Sequence, residues 1–554
     1  MQLPTLPASL TPYGLLALSV LLVYSILHLT VYLGSKLLAR LRTPLRTLRG
    51  PPSSSFLWGS IKEVIADESV VDRWAEEYGG TFAVRELLGG YRLCTTDARA
   101  TAHILSHTSI YPKPMPLRMV LNSVIGPGLL VAEGDVHKRQ RRIMNPSFSP
   151  GQIREVTPIF FEKSQQLRDV LSSILSKSSA PDGEEEINMY AWFGRATLDV
   201  IGQAGFGYRF NALYDETNEL YVAFREMIQA IGDSGLVGVL LNQFWLLRML
   251  PLKHNRTMRR SRSITQRVGM ELVRAKKEAV EQEMQNRGGV EKGKIVGRDI
   301  LSSLIRANMA ADLSPAHKMS DEEVFAQIST FIVAGHETTS TGLSWTLLSL
   351  AQLPRVQDKL RTELLLVPEE APSMDDLNAL PYLDMVVKES MRYHCPVRGT
   401  ARVATQADSI PLSRPLIDRN GVSHDHMTVQ AGDSIGVETV LINHSKEYWG
   451  EDAKEFRPER WESPEWTEGA NALPGIWAHM MTFIGGPRAC IGWRFSVIET
   501  KAMLFTLLRS LEFLPAEGTE IGMRDVAVIR PFVKGREGDG FQLPLRVRRV
   551  PRAV

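Results

Sequence analysis

The sequence contains little cysteine and carries almost no net charge. Three cysteines in 554 residues are too few for a disulfide framework, which favours a reducing compartment. The formal net charge is only +2, and a balance this even argues against nucleic acid as a partner. No internal repeat and no dominant low-complexity tract is present, which argues against a repeat architecture. With 44% hydrophobic residues, the chain can form one large core or two smaller ones.

Charged side chains are also absent from residues 14–34, where leucine, valine, isoleucine, tyrosine and alanine dominate. At about 1.5 Å per residue, a helix over this stretch is roughly 30 Å long and can cross a bilayer. A cleavable signal peptide is the alternative, but no positive segment precedes the run and no clear small-residue cleavage site follows it. The cations that follow the run are Lys36, Arg40, Arg42, Arg46 and Arg49.

This distribution of cations predicts the orientation and the division of the chain. We expect residues 1–13 to be lumenal, residues 14–34 to form a single transmembrane anchor, and the rest to be cytosolic. Residues 35–55 are basic and end in a proline- and serine-rich stretch, which is typical of a stiff linker. Residues 56–554 then form one large domain, in which the chemistry must reside.

Helical patterns dominate this domain, and short strand-like runs interrupt them. Residues 81–96 predict a hairpin, and residues 403–440 are rich in strand-forming residues. Residues 320–353 predict a long helix that opens with a capping box, and residues 492–513 predict an amphipathic helix. The fold class is therefore mainly α with small β-sheets (α+β).

Two segments of the domain stand apart from these patterns. Residues 111–134 are rich in proline and glycine and predict an irregular connection. Residues 236–252 are unusually apolar, and they could be core, a substrate lid or a surface that dips into lipid. The sequence leaves these three alternatives open.

The most specific pattern is the run Phe483–Gly492, which places Cys490 on a glycine-rich loop before a long helix. A thiolate on such a loop suits haem iron as a proximal ligand, because Gly486 and Gly492 let the backbone approach the porphyrin and N–H groups can bond the sulfur. Arg488 supplies a cation for a haem propionate. A buried cysteine beside a tight turn is the alternative. The run resembles the haem-binding signature of the cytochrome P-450 family, which implies that family's fold and haem b (iron protoporphyrin IX) as the cofactor.

A second motif, residues 334–339, lies on the predicted helix 320–353 and reads Ala-Gly-His-Glu-Thr-Thr. Gly335 and Thr338 lie three apart and share a helix face, where small residues leave room for a diatomic ligand. Thr338 can bond the carbonyl one turn back, and Glu337 offers a carboxyl group for proton relay. A polar surface helix is the alternative. The motif resembles the family's oxygen-activation segment, which implies that Thr338 stabilises the activated oxygen and Glu337 feeds protons toward it.

Opposite charges lie at positions i and i+3 of another predicted helix, at Glu389 and Arg392. Taken alone, such a pair is typical of a weak, solvated salt bridge. Residues 456–461 follow before the cysteine loop, and together the two segments resemble the family's Glu-x-x-Arg helix and its Pro-Glu-Arg-aromatic segment. The resemblance implies that Glu389, Arg392 and Arg460 form a buried three-charge network behind the haem.

Further cations resemble the family's propionate ligands. Residues 137–142 match an early helix in which a tryptophan and an arginine four residues apart usually serve. His137 occupies the tryptophan position and Arg141 the arginine position, and an imidazole N–H can replace the indole donor. Arg402 is another candidate. The alternative for this basic helix is a surface that faces lipid or a partner.

Cys395 is assigned a structural role, because no cysteine or histidine lies near it at the spacing of a zinc site.

The resemblance extends from about residue 50 to about residue 550 and includes four motifs in the family's order. It implies a membrane-anchored fungal monooxygenase that inserts one atom of O₂ into a lipophilic small molecule, such as a terpenoid of secondary metabolism. We expect electrons from a separate NADPH-cytochrome P-450 reductase on the endoplasmic reticulum membrane, because the assigned domain leaves no room for flavin or nicotinamide. The alternatives are a haem-thiolate isomerase or dehydratase that needs no O₂ or reductase, and a non-catalytic haem sensor. The Glu337–Thr338 pair argues against the first alternative.

Overall fold

The computed structural model describes residues 12–178, 183–215, 217–232, 252–286, 299–309, 318–462 and 467–550. The chain divides into two compact units. The first unit comprises Met1–Ala100 and Arg402–Gly436, and the second comprises Thr101–Ala401 and Val437–Val554. With the exception of Arg402, the candidate site residues all belong to the second unit.

The described helices lie mostly in the second unit, as the sequence predicts for a mainly α domain. The first unit contains α1 (Pro12–Arg42), α2 (Ile61–Ala66) and α3 (Val70–Tyr78), and α4 (Ala98–Ser106) begins in it. The second unit contains α5 (Met115–Ile125), α6 (Gly134–Met144), α7 (Pro150–Ser176), α8 (Met189–Val200), α9 (Glu219–Gly232), α10 (Lys253–Asn286), α11 (Ile300–Met309), α12 (Asp321–Gln352), α13 (Pro354–Leu365), α14 (Met374–Asn378), α15 (Pro381–Tyr393), α16 (Thr439–Asn443), α17 (Lys446–Trp449), α18 (Thr467–Ala470) and α19 (Trp493–Leu508).

The strands form small sheets. Those met first along the chain are β1 (Thr81–Arg85), β2 (Tyr91–Thr95), β3 (Glu185–Asn188), β4 (Thr400–Val403), β5 (Asp408–Ile417), β6 (Ser423–Val429) and β7 (Ser434–Val437). The remaining strands are β8 (Leu511–Pro515), β9 (Ile521–Val526), β10 (Val528–Val533) and β11 (Pro544–Arg549). The sheet orders are β1-β2-β7-β4, β3-β11-β8, β5-β6 and β10-β9. The predicted hairpin at residues 81–96 is confirmed, since β1 and β2 pair antiparallel with Thr81 opposite Thr95.

The second unit is organised around α12, which is buried along most of its length. Its start is fixed by the predicted capping box: the Ser320 side chain accepts from the Glu323 N–H, and the Glu323 carboxylate accepts from the Ser320 N–H. Helix α12 packs against α8, α10 and α19. Helix α19 in turn packs on α7, with the Phe160 and Phe495 rings edge to face at 4.7 Å. This packing holds α12 and the start of α19 on opposite sides of one cavity.

Two predicted boundaries differ from the structure. Residues 111–134 contain α5, which begins after Pro114 and ends before Gly126 at φ +75°, a conformation that glycine adopts easily. Helix α19 ends at Leu508 rather than near residue 513, because residues 511–515 form β8. Strand β8 pairs antiparallel with β11. That pairing is non-local and overrides the continuing apolar pattern.

Helix α1 covers the charge-free run from which the anchor was predicted. Among the described residues, which begin at Pro12, no helix combines the length and the apolar character needed to cross a membrane. The apolar segment at residues 236–252 lies outside the described residues except for Leu252, whose side chain is exposed. The anchor and the role of that segment therefore stay predictions.

Candidate functional site

A cavity lies between α12 and the loop that precedes α19, with about 930 Å³ of space that is in part open to solvent. Its polar lining includes Cys490 on the loop and Thr338 on the helix, and further basic side chains come from α6 and from the segment before α5. Apolar side chains form much of the remaining wall: Leu129, Leu130, Phe148, Ile201, Phe331 and Phe495. Concave, largely apolar sites with a few convergent polar groups are typical of small-molecule and cofactor binding.

The cysteine loop is held in shape by its own backbone. The Cys490 N–H donates to the Phe483 carbonyl at 3.0 Å, which closes the loop, and Phe483 is buried beside the Trp477 ring. Gly486 has φ +73°, and a Cβ atom there would lie 2.7 Å from the Leu105 carbonyl oxygen. A side chain at residue 486 is therefore excluded by both conformation and space. The sequence motif and the loop geometry place the Cys490 side chain on the cavity wall.

The surroundings of Cys490 act on its thiol in opposite directions. Burial raises the pKa of the Cys490 thiol, while a hydrogen bond from the Gly492 backbone and the charge of Arg141 lower it. Gly492 is also the N-cap of α19, and the partial positive charge of a helix N-terminus favours a thiolate. A cation bound to the sulfur would offset the burial and leave the thiolate as the stable form.

The residues around the cavity fit a flat, acidic, iron-bearing cofactor. Among the described residues, a Cβ atom at Gly492 would meet only Phe148, at 3.8 Å, so these neighbours alone do not require glycine there. A close-lying planar group would require it, because Gly492 lines the cavity. In the described structure Arg488 Nε is buried without a hydrogen-bond partner, as expected of a donor that faces a carboxylate of a ligand. The soft sulfur ligand, the apolar walls and the cations together match haem b.

The predicted propionate ligands Arg488, Arg141 and His137 all line this cavity. Arg141 donates to the Ala489 carbonyl at 2.6 Å, so it is also a brace for the cysteine loop. Arg488 donates to the Ala132 carbonyl at 2.9 Å and forms an ion pair with Glu133. The three side chains therefore converge on one wall of the cavity.

His137 is held neutral by its position. Burial and the neighbouring charges of Arg488, Lys113 and Arg141 lower the pKa of His137 to about 3. Lys113 lines the cavity as well, and it is a cation that the sequence motifs did not reveal. Arg402 is buried in β4 and belongs to the first unit, so its assignment to a propionate stays a prediction.

On the helix side of the cavity, α12 contributes Thr330, Phe331, Ala334, Gly335, Thr338 and Thr339. The predicted bond from Thr338 to the carbonyl one turn back is confirmed, since Thr338 Oγ1 donates to the Ala334 carbonyl at 2.7 Å. A Cβ atom at Gly335 would come within 3.2 Å of the Ile201 side chain. The small residue therefore serves helix packing as well as the cavity.

Glu337 differs from Thr338 in its orientation. Within the described part of α12, the cavity-lining residues include Thr338 but leave out Glu337. The Glu337 carboxylate instead accepts from Arg530 on β10, at 2.9 Å from Nη2. Burial raises the pKa of Glu337, but the charge of Arg530 and the hydrogen bond from His336 more than compensate and lower it to about 2. Sequence reasoning missed Arg530, because a lone arginine on a short strand carries no local signal.

The three charges of the predicted network, Glu389, Arg392 and Arg460, lie together and are almost fully buried. Arg392 donates to both oxygens of Glu389, at 2.8 and 3.0 Å, and Arg460 approaches the same carboxylate at 3.4 Å. The Trp461 indole and the Arg457 backbone N–H also donate to Glu389, at 3.0 and 2.9 Å. The remaining guanidinium donors bind backbone carbonyls of the segment 443–455, and Arg460 also forms an ion pair with the Asp452 carboxylate. The network thus ties helix α15 to the chain that leads into the cysteine loop.

The two other cysteines lie in the interior. Cys94 is buried in a cluster with Val70, Trp74, Phe82 and Val84. Cys395 is buried and donates its thiol to the Val397 carbonyl at 3.0 Å. Burial raises the pKa of Cys395 to about 12, so this thiol stays protonated. Neither cysteine lines the cavity that contains Cys490.

Comparison with known proteins agrees with the geometry of the site. The family model for cytochrome P-450 matches residues 49–535. The chain is 46% identical over 512 residues to cytochrome P-450 monooxygenase 205 of Postia placenta, covering 91% of this chain and 93% of that protein. It is 43% identical to cytochrome P-450 monooxygenase 128 of the same fungus, covering 93% and 95%, and 38% identical to monooxygenase claO of Ampulloclitocybe clavipes, covering 94% and 96%. The chain belongs to the cytochrome P-450 family, as a monooxygenase that carries haem b on a cysteine thiolate.

Proposed function

We propose that this monooxygenase inserts one atom of O₂ into a lipophilic small molecule, such as a terpenoid of secondary metabolism. The observation that carries the proposal is the cavity, in which apolar side chains surround the space between Cys490 and Thr338. An apolar wall with few polar groups favours a substrate that gains free energy by leaving water. The fungal relatives named above support the reaction class, and their names specify no substrate.

Haem b, when bound, supplies the activation of O₂ and the oxidation itself. The protein's own residues bind the haem and shape the space around the reacting centre. Cys490 is the iron ligand, held by the backbone bond to Phe483. Arg488, Arg141 and His137 are assigned to the propionates, and the apolar walls exclude water from the reacting centre.

Proton delivery is assigned to two neighbouring residues of α12. The Thr338 hydroxyl lies on the cavity wall and donates to Ala334, which leaves its oxygen lone pairs free to accept a proton donor. Glu337 is the proposed source of those protons, and its side chain keeps 15% of its surface exposed to solvent. A carboxyl group beside a hydroxyl is a common relay for protons in an otherwise dry site.

We assign electron supply to a separate NADPH-cytochrome P-450 reductase and the location to the endoplasmic reticulum membrane. The charge-free run at residues 14–34 and the cations that follow it support a single anchor with the domain in the cytosol. Apolar side chains on α1 such as Val20, Leu22 and Val23 are more than 60% exposed, which favours contact with lipid.

The test is turnover of a panel of terpenoids under ¹⁸O₂ with NADPH and an NADPH-cytochrome P-450 reductase. The proposal predicts products that carry one ¹⁸O atom, and it predicts no product when NADPH or the reductase is omitted. Products formed without O₂ or NADPH would instead identify an isomerase or a dehydratase. If no compound class that is tested increases NADPH consumption, the result would favour a haem sensor.

A further inference from the structure

The hairpin β9–β10 places one guanidinium group, that of Arg530, against a carboxylate of the central helix. Arg530 donates to a single oxygen of Glu337, Oε2, from Nη2 at 2.9 Å and from Nε at 3.2 Å. The Arg530 side chain is 4% exposed and that of Glu337 is 15% exposed. Because the pair is largely removed from water, solvent screens it far less than a surface salt bridge.

Arg530 is held in place by contacts that do not involve Glu337. Its guanidinium lies over the Phe541 ring, 5.0 Å from the centroid. The residue before it, Ile529, is bonded on both sides: its carbonyl accepts from the Trp345 indole at 2.6 Å, and its N–H donates to the Pro396 carbonyl at 2.9 Å. Trp345 is itself on α12. The hairpin therefore presents the guanidinium to α12 in a fixed orientation.

The groups around the Glu337 carboxylate determine its charge. On α12, His336 Nε2 lies 3.4 Å from Glu337 Oε1, while His336 Nδ1 donates to the Ile332 carbonyl. On α8, Tyr190 is a buried phenol whose pKa is raised by burial and by the Glu337 charge. On β9, Asp525 lies within electrostatic range of Arg530. Since Arg530 is the largest favourable influence, it keeps Glu337 ionised at neutral pH.

An ionised carboxylate turned away from the cavity is a poor direct acid but a good relay. It can take up one proton from the solvent side, transfer that proton toward the Thr338 hydroxyl, and return to the carboxylate form. The free energy needed to protonate the Glu337 carboxylate is determined by Arg530, because the proton competes with this cation for the carboxylate oxygens.

We propose that Arg530 is a positioning residue for the monooxygenase reaction, which holds the Glu337 carboxylate outside the cavity and sets the pH range in which it relays protons to Thr338. The inference rests on the proposed relay function of Glu337. It adds to the relay a residue that lies 193 positions from Glu337 in the sequence.

The test compares Arg530→Gln with Arg530→Lys in the full-length holoenzyme. In Arg530→Gln the Glu337 pKa should rise by roughly 1–3 units, because an opposite charge in contact lowers a carboxyl pKa by that amount. The ratio of product to NADPH consumed should then show its pH dependence displaced upward by a similar amount. Arg530→Lys, which keeps the charge, should restore most of the wild-type profile.

A second measurement does not depend on turnover. Infrared spectra of the resting protein at pH 4 should show a protonated carboxyl C=O band in Arg530→Gln that is absent when the spectrum of the double variant Arg530→Gln/Glu337→Gln is recorded, and the wild type should show no such band relative to Glu337→Gln. Arg524→Gln is the matched control, since Arg524 lies opposite Arg530 in the same hairpin but is exposed. This control should retain the wild-type profile and spectrum.

The outcomes separate this inference from the proposed function. If Glu337→Gln uncouples NADPH use while Arg530→Gln leaves both the pH profile and the spectrum unchanged, the role of Arg530 is wrong and the relay stands. If Glu337→Gln itself leaves coupling unchanged, the relay is wrong. A band that persists in the double variant would assign the protonated carboxyl to another residue and would also overturn the inference.

Discussion

Two buried carboxylates of the second unit, Glu389 and Glu337, are both paired with arginine but differ in how completely they are bonded. Glu389 has an exposed fraction of 0% and accepts from two arginines, an indole and a backbone N–H. Glu337 accepts from one arginine, lies 3.4 Å from a histidine and keeps part of its surface in contact with solvent. A saturated carboxylate can only hold structure together, whereas an unsaturated one with access to water can exchange protons.

A third carboxylate extends the comparison. Glu499 on α19 is 1% exposed, and within the described structure neither of its carboxylate oxygens has a hydrogen-bond partner. Burial raises the pKa of Glu499 well above the usual range, which favours its protonated, uncharged form. Three glutamates of one unit thus differ in their state. Glu389 is fully hydrogen-bonded and structural, Glu337 is paired with Arg530 and can exchange protons, and Glu499 favours the neutral form.

The largest effect is expected at Glu389. Glu389→Ala leaves Arg392 without its carboxylate in a buried site, while Arg460 keeps its ion pair with Asp452, and removing one partner of such a network costs roughly 3–5 kcal/mol. We predict a large fall in the free energy of unfolding and loss of bound haem, measured by chemical denaturation and by haem content. Glu462→Ala is the control, because its side chain is 53% exposed and exposed pairs contribute about 0–1 kcal/mol. Equal stability of the two variants would contradict the structural role of Glu389.

The next effect is expected beside Glu337. Thr338→Ala removes the hydroxyl on the cavity wall but leaves the Glu389 network untouched, so the protein should fold and bind haem normally. Product formed per NADPH should fall roughly tenfold or more while hydrogen peroxide rises, since a positioned proton donor contributes at least that much. Thr338→Ser keeps the hydroxyl and should restore coupling. Unchanged coupling in Thr338→Ala would remove this residue from proton delivery.

The smallest effect is expected at Glu499 and concerns pH. Because burial raises the pKa of Glu499 in the folded state, the folded protein binds a proton that the unfolded chain releases above its ordinary pKa. The Glu499 contribution is therefore fully present below about pH 4.3 and is lost as pH rises toward the folded-state pKa. Glu499→Gln should flatten this decline, as measured by chemical denaturation between pH 5 and 8. Parallel profiles for variant and wild type would show that Glu499 is not held neutral.

The sequence predicted those parts of the site that depend on short, contiguous motifs. The Glu389 network, which includes Arg460 at a separation of 71 residues, was implied by the family resemblance and not by spacing. The loop around Cys490 and the Thr338 bond to Ala334 follow from residues a few positions apart. Such spacing is imposed by a single loop or helix face, so it is visible in one sequence.

The residues that the sequence did not reveal act across distant segments. Arg530, Glu133 and Lys113 are cations or acids on separate elements that meet the site only after folding. No periodicity links them to their partners. The same reason explains β8, whose strand conformation depends on pairing with β11, and α5, whose helix was obscured by the prolines and glycines at its ends.

The central claim is that Cys490 binds haem iron as a thiolate. The most direct test is the carbon monoxide difference spectrum of the reduced protein, recorded beside that of Cys490→Ser. The account predicts a red-shifted, thiolate-type Soret band in the wild type and its loss in the variant. A histidine-type band in the wild type, or no bound haem at all, would contradict it.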